Sequence, residues 1–363
     1  MPIVVNSNTT ATTASFNLSH ANDALRKSLA RLSSGNRIVS PADDAGGMAV
    51  AYKLNSKLKR TEAVRQNVQN GISYLQVQDG ALSTIAKIAD RMSELRTMAS
   101  DITKNTGDIE NYSKEFIELQ RQLNQIRHEK FNGISLFATS QSNETSSPPE
   151  LRPHLKKQGL TLDDQGRGYA KFSREILTTA DGVRQDGHVS LNVVNLQYIL
   201  SLGQVDTRFV SATTSDAVNN TFQTAEDVNG RAVYVNLGNV DNGNQDDFGG
   251  AAGANANVYN DIYTADGFIN SIMFVSMASF VDVIERIADA RAENAAEQNR
   301  LSMTSALLMQ NQTNLEAAHG RIMDADVALE STRFARQNVL VQSSAAMVAQ
   351  ANQLTSIALT VLG

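Results

Sequence analysis

Cysteine and tryptophan are both absent from this chain of 363 residues. Without cysteine there are no disulfides, no thiol catalysis and no thiolate metal sites, which suits a protein that leaves the cell and must not cross-link. Without tryptophan, and with aromatics at only 6%, there are too few large rings for an ordinary globular core of this length. Cohesion is therefore expected from Leu, Ile, Val and Ala on long helices. Proline is scarce: of five, three lie within 142–153 and none follows Phe268. Charge is missing at both ends, with no Asp, Glu, Lys or Arg before Asp23 or after Arg336. The formal net charge of -6 gives no electrostatic support for a nucleic-acid partner. Long apolar runs are missing too. Gln342, Ser343, Gln350, Asn352, Gln353 and Ser356 interrupt any stretch of about 18 apolar residues, so no membrane span and no membrane partner are expected. The start, MPIVVNSNTTATTASF, has no basic region and no continuous apolar core, so export is expected without a Sec-type cleaved signal.

What is present is helical periodicity. The C-terminal stretch carries two adjacent seams, Phe334, Val341, Ala345, Val348, Leu359 and Leu362 on one and Leu340, Met347, Ala351, Leu354 and Val361 on the other. Two seams make a stripe too wide for a surface helix with a single partner. Near the start, Leu18, Ala21, Leu25, Ser28 and Leu32 form a third seam that Gly35 stops. Both ends thus read as uncharged helices, pairing with each other or with copies of each other. A second helix is expected to start at Ser40-Pro41-Ala42-Asp43-Asp44, with Ser40 as its N-cap, and to run through Leu54, Leu58, Val68, Leu75, Leu82, Ile85 and Met92. Glycines along it, such as Gly71, suggest close backbone approach, because each costs about 1 kcal/mol against Ala. A loop over 103–108 and a helix over 109–128 follow, then a tight turn at Asn132-Gly133.

From Ala138 the texture changes. Alternating stretches at 187–194 and 231–237, separated by Asp, Asn and Gly, predict a β-rich region over about 140–265. Helix returns from Phe268. Leu301, Leu308, Leu315, Ile322 and Leu329 recur every seven residues, a coiled-coil seam with a joint expected at Gly320. The fold class is therefore mainly α: long N- and C-terminal helices paired as a coiled coil or bundle, with a β-rich insertion in the middle.

The chain offers no catalytic constellation, and no enzyme is expected. Its five histidines, His20, His128, His154, His188 and His319, lie far apart in sequence, and there is no HExxH, GxSxG or Walker motif. Gly166-Arg167-Gly168 reads as a turn, and Asp241 to Asp247 resembles a calcium loop but lacks the closing Glu. Asp43/Asp44 and Asp324/Asp326 read as helix caps and surface charges. Lys53, Lys57, Lys59 and Arg60 read as a solvated face. No cofactor and no metal are expected.

Arg31-Leu32-Ser33-Ser34-Gly35-Asn36-Arg37-Ile38 and Asp43-Asp44-Ala45-Gly46-Gly47-Met48-Ala49 resemble the N-terminal signature of bacterial flagellin. Asn70-Gly71-Ile72-Ser73, Asp79-Gly80-Ala81-Leu82 and Phe131-Asn132-Gly133 follow in the same order. Gln298-Asn299-Arg300-Leu301, Arg321-Ile322-Met323-Asp324-Ala325-Asp326 and Ala349-Gln350-Ala351-Asn352-Gln353 resemble its C-terminal signature. The likeness covers about 1–138 and 270–363.

The resemblance implies a secreted filament subunit for motility. It assembles as a homopolymer outside the cell, through termini that are disordered in the monomer. It also implies type III export, a flagellar export chaperone on the C-terminal helix, and hook-associated and cap proteins as partners. The implied layers are an inner-core helix over 1–42 pairing with 321–363, a helical layer formed by 43–138 and 270–320, and a variable outer domain over 139–269. The polymerisation core would be Leu18, Leu25, Leu32, Leu340, Val341, Met347, Val348, Leu354, Leu359 and Leu362. The helical-layer seam would be Leu75, Leu82, Leu301, Leu308, Leu315 and Ile322. Family members also meet a vertebrate innate receptor, and the matching positions are Arg91, Leu95 and Glu118.

Competing readings are a hook–filament junction protein, an enzyme or adhesin carried in 140–265, and a membrane-active amphipathic protein. The last is disfavoured because the end helices lack a basic face.

Overall fold

The computed structural model describes residues 8–138, 155–162, 168–181, 187–204, 234–238, 264 and 267–362. The loop over 241–247, the stretches 142–153 and 249–257, His154 and the Gly166-Arg167 turn lie outside the described residues. So do the side chains of 354–362.

Among the described residues six helices dominate: α1 (Thr9–Ser34), α2 (Ala45–Ala99), α3 (Thr106–Arg127), α4 (Leu196–Ile199), α5 (Met277–Met323) and α6 (Val327–Leu362). Strands are short. β1 (Lys130–Phe131) and β2 (Ile134–Ser135) make a hairpin. Its turn is Asn132 at φ 49° and Gly133 at φ 78°, the pair of left-handed residues that a two-residue hairpin turn demands. β3 (Leu155–Leu162), β4 (Gly168–Leu177) and β5 (His188–Val193) form an antiparallel sheet in the order β3-β4-β5, and β6 (Ser201–Gln204) pairs with β7 (Tyr234–Asn236). The alternation expected at 187–194 is realised in β5, whose residues from Val189 alternate buried and half-buried; of that expected at 231–237, residues 234–236 form β7 and 231–233 lie outside the described residues.

Helix ends follow local chemistry, with three departures from expectation. α1 stops where Gly35 turns left-handed at φ 69° and returns its N–H to Arg31. α2 begins at Ala45, not at Ser40: residues 40–43 form a turn, and the cap is Asp44, whose carboxylate accepts the Gly47 N–H at 2.7 Å. Pro41 favours either reading, and the stronger acceptor sits four residues later. α3 starts three residues earlier than expected, because Asn105 and Asp108 close a reciprocal capping box. The C-terminal helix breaks at Asp324–Asp326 rather than at Gly320, which lies inside α5. Asp326 caps α6 by accepting the Ala328 and Leu329 N–H groups at 3.0 and 3.1 Å.

The chain divides into two compact units: Met1–Ala63 with Leu308–Gly363, and Val64–Leu307. The second has a conventional core. Leu75, Leu82, Ile85, Met92 and Leu95 of α2, Phe116 and Leu123 of α3, and Phe280, Val283 and Leu301 of α5 are wholly buried. Phe116 meets Phe280 edge to face at 6.3 Å. Gly71 realises the expected close approach, since a Cβ there would run into Ile176 and crowd Leu301.

Buried polar side chains pin the irregular segments to these helices. Gln120 pairs with both backbone groups of Ile269 at 3.0 Å. Arg96 donates to the Val275 carbonyl at 2.7 Å, and Gln78 and Tyr74 donate to Leu136. Glu297 of α5 accepts the Asn192 N–H of β5 at 2.8 Å, beside a Lys171–Glu293 ion pair of 2.9 Å.

Candidate polymerisation surface

Within the first unit, α1 and α6 pack against each other antiparallel. Asn8 donates to the Ala351 carbonyl at 2.9 Å at one end, and Arg31 faces Glu330 at 3.9 Å toward the other. The joint beyond is a short antiparallel bridge between Asn36 and Asp324. Here the Ala325 N–H reaches Gly35 at 2.9 Å, and the Arg37 guanidinium clasps the Ile322 carbonyl at 2.8 and 3.0 Å. The longest of the N-terminal signature motifs, 31–38, and the longest of the C-terminal ones, 321–326, thus meet in space.

The contact seam is a heptad on both sides. On α1 the seam runs through Ala11, Ala14, Leu18, Ala21, Leu25, Ser28 and Leu32, with Arg31 half-buried beside it; on α6 the shielded positions are Glu330, Phe334, Gln337, Val341, Ser344, Val348 and Ala351. Steps of three and four keep one stripe facing the partner. Many of these side chains are small or polar, so the pair is thin. Only Ala21 and Ser28 of α1 are fully buried. Leu18, Leu25 and Leu32 are half-buried, as are Val341 and Val348.

Of the second expected seam of the C-terminal helix, Ala351 joins this contact, Leu340 and Met347 do not, and the side chains of Leu354 and Val361 lie outside the described residues. Leu340 stands 42% exposed and Met347 61%, with Phe16 on α1 at 64%. Fully burying one large aliphatic side chain contributes about 1.5–3 kcal/mol, while ordering each backbone residue costs about 1–2 kcal/mol. A pair that half-buries a few leucines returns little against that cost. Both helices are formed in the single chain, where the resemblance implies disorder for an isolated subunit. Leu354, Leu359 and Leu362 have side chains outside the described residues.

Of the helical-layer seam, Leu75, Leu82 and Leu301 lie in the core of the second unit. Leu308 is buried, and Leu315 and Ile322 half-buried, in the first. Burial fades along the heptad, and Leu329 at the next step is 51% exposed.

Charge enters the α1–α6 contact in one place. Lys27 holds Asp43 at 2.6 Å, and its ammonium draws that carboxyl below the usual range. Asp43 and Glu330 flank Arg31, and Arg333 reaches Glu330 at 3.3 Å. Reading the sequence did not single out Glu330; an acid on an otherwise uncharged helical seam was the available signal.

The three positions expected to meet a receptor separate. Arg91 is half-exposed and paired with Glu94 and Glu115 at 2.6 and 2.7 Å. Glu118 is exposed and paired with Arg121. Leu95 is not a surface residue: it is wholly buried, because it follows the core stripe of Ile88, Met92 and Ala99 rather than that of Arg91. Among the described residues no group of His, Asp and Glu is arranged to hold a metal ion, and no helix is long and apolar enough to cross a membrane.

Two family models match the chain. The bacterial flagellin N-terminal helical region matches residues 5–142, and the bacterial flagellin C-terminal helical region matches residues 279–361. The chain belongs to the bacterial flagellin family. As a flagellin it is similar along its whole length to flagellin A of Vibrio cholerae serotype O1, 29% identical over 390 residues with both chains fully covered. It is also similar to flagellin FlaB2 of Treponema pallidum, 25% identical over 364 residues, covering 99% of this chain and 100% of that one. Among solved structures, a putative flagellar hook-associated protein from Vibrio parahaemolyticus aligns at 14% identity and a TM-score of 0.46, covering 78% of this chain and 100% of the other. That likeness is too low to argue from. The family is one of structural proteins, and its matched regions are the helical ends that carry α1, α2, α3, most of α5, and α6.

Proposed function

We propose that this flagellin is the structural subunit of a bacterial flagellar filament, and that it polymerises through α1 and α6. The observation that carries the reading is the α1–α6 pair itself, two helices that shield only one thin stripe in one chain and leave the apolar side chains of Phe16, Leu340 and Met347 open. Such a surface is complete only when further copies cover it, because charges placed there would suffer a large desolvation cost on assembly. Consolidation of the ends and growth of the filament are then coupled.

In this reading 1–42 and 321–363 form the inner core, 43–138 and 270–320 the helical layer, and 139–269 the outer domain. Leu18, Leu25, Leu32, Leu340, Val341, Met347, Val348, Leu354, Leu359 and Leu362 meet neighbouring copies. The role is mechanical rather than enzymatic. An export chaperone covers the C-terminal helix before secretion without a cleaved signal, and hook-associated and cap proteins bound the filament at its two ends. Arg91 and Glu118 are the positions left to an innate receptor.

The test is a chain lacking 344–363, examined by sedimentation and electron microscopy beside the full-length protein. It is expected to stay soluble and monomeric under conditions in which the parent grows long filaments. Filaments of normal length from the truncated chain would refute the proposal, and so would a full-length protein that forms only short, non-extending assemblies, as a junction protein would.

A further inference from the structure

The only ion pair across the α1–α6 contact among the described residues is buried and incompletely bonded. The Glu330 side chain is 6% exposed and that of Arg31 18%, and their closest approach is 3.9 Å. That distance is an ion pair but not a hydrogen bond. Arg31 Nε and Glu330 Oε1 are both buried with no hydrogen-bond partner. Asp43 stands 4.0 Å from Arg31 on one side, and Arg333 3.3 Å from Glu330 on the other.

A buried pair left in this state is poor glue. Its desolvation cost is only partly offset, and apolar side chains of similar volume would stabilise the contact as well or better. Where such pairs do have a use, the best-attested one is to specify register between helices. The seam around it needs that help. Ala11, Ala14, Ala21, Ser28, Ser344 and Ala351 are small side chains that tolerate sliding and rotation of one helix on the other, since they interlock weakly. The backbone bridge at Asn36 and Asp324 anchors one end of the pair but does not set how α6 is rotated about its own axis.

We propose that Arg31 and Glu330 are positioning residues that fix the register and rotation of α1 against α6, and so decide whether the exposed faces are presented to neighbouring copies in a polymerisable arrangement. The inference rests on the filament reading above. Glu330 sits on the contact stripe, with Leu340 and Met347 off it, so a turn of α6 that released Glu330 from Arg31 would carry both apolar residues to new angles.

The experiment compares elongation of parental filament seeds by three full-length chains: the parent, Arg31→Met with Glu330→Met, and Arg31→Lys. Elongation rate, the layer lines of the resulting filaments and thermal melting of the soluble chain are read for each. If the parent itself fails to extend seeds, the filament reading fails, and that result stands apart from the test of the pair. With the parent growing, the double Met variant is expected to melt as the parent does, yet to elongate at least 10-fold more slowly or with diffuse layer lines. Arg31→Lys, which keeps the opposed charges, is expected to grow within about 3-fold of the parent with sharp layer lines. A double Met variant that elongates within 2-fold of the parent and keeps its layer lines would overturn the proposal, because the backbone bridge would then suffice. Arg31→Lys as defective as the double variant would overturn it too, as would a double variant whose melting falls in step with its growth.

Discussion

Single residues in this flagellin do two different jobs, and substitutions separate them. In the second unit, Gln120 is wholly buried and satisfies both backbone groups of Ile269. Gln120→Ala leaves a buried N–H and a buried carbonyl without partners, each worth about 1–3 kcal/mol. Thermal or denaturant melting is therefore expected to register a loss of about 2–4 kcal/mol, against no resolvable change for the exposed Glu110→Ala. Glu297 gives a pH signature. Burial pushes its carboxyl up to about 7, with Glu293 adding to the rise and the Asn192 N–H, Lys171 and Arg300 opposing it. A carboxyl raised in the folded state favours folding while it is protonated. That contribution is complete below its ordinary value near 4.5 and is lost as pH climbs through about 7. The melting temperature should accordingly fall between about pH 5 and pH 8, and Glu297→Gln should flatten part of that fall; parallel pH profiles for the two proteins would contradict the assignment. Little of this was legible in the sequence. Gln120 and Ile269 are 149 residues apart, and a buried amide looks like any other Gln on a helix. Leu95 was misplaced for a related reason, since matching a motif fixes a position along the helix but not its angle around it. Gly35 and Asn132-Gly133 were legible, because positive φ restricts the residue types that fit.

At the scale of elements, the helices owe their limits to caps and their partners to stripes. Asn105→Ala removes the capping box of α3 and is expected to lower stability by about 1 kcal/mol, measured by urea melting of the full chain. α6 behaves differently, because its most apolar exposed positions contribute to no contact within the chain. Met347, 61% exposed, can become Glu with less than about 0.5 kcal/mol of change in the melting of the lone subunit. In the polymer the same carboxylate would have to be desolvated. A penalty of about 3 kcal/mol raises the critical concentration roughly a hundredfold, which light scattering of a dilution series would reveal. Equal critical concentrations for parent and Met347→Glu would remove Met347 from the polymerisation surface. The existence of these helices was plain from heptad spacing, and β5 and β7 from alternation. Their starts were not, where Ser40 and Asp44 compete as caps four residues apart and the capping box hides in a stretch that reads as loop. The break between α5 and α6 fell on Asp324–Asp326 because an acid able to cap a new helix outweighs a glycine that a long helix tolerates.

The whole molecule combines two kinds of folding in one chain. Val64–Leu307 encloses a core of buried Leu, Ile, Met and Phe. Met1–Ala63 with Leu308–Gly363 holds a helical pair whose contact stripe is half-buried and whose other faces carry Phe16, Leu340 and Met347 into solvent. That division is written in the uncharged ends and paired seams of the sequence, since charge depletion on a helix is costly in water and sensible only in an interior. The ion pair of Arg31 and Glu330, at opposite ends of the chain, was not readable, because nothing local marks which acid meets which base across a coiled coil. The most direct test of the central claim is amide hydrogen exchange, measured on dilute soluble subunits and on filaments of the same protein. Amides of α1 and of 337–362 are expected to exchange within seconds to minutes in the lone subunit and to slow by at least a thousandfold in the filament, while those around Leu75 and Leu82 are slow in both. A lone subunit whose α1 and α6 amides are already as protected as that core would contradict the account.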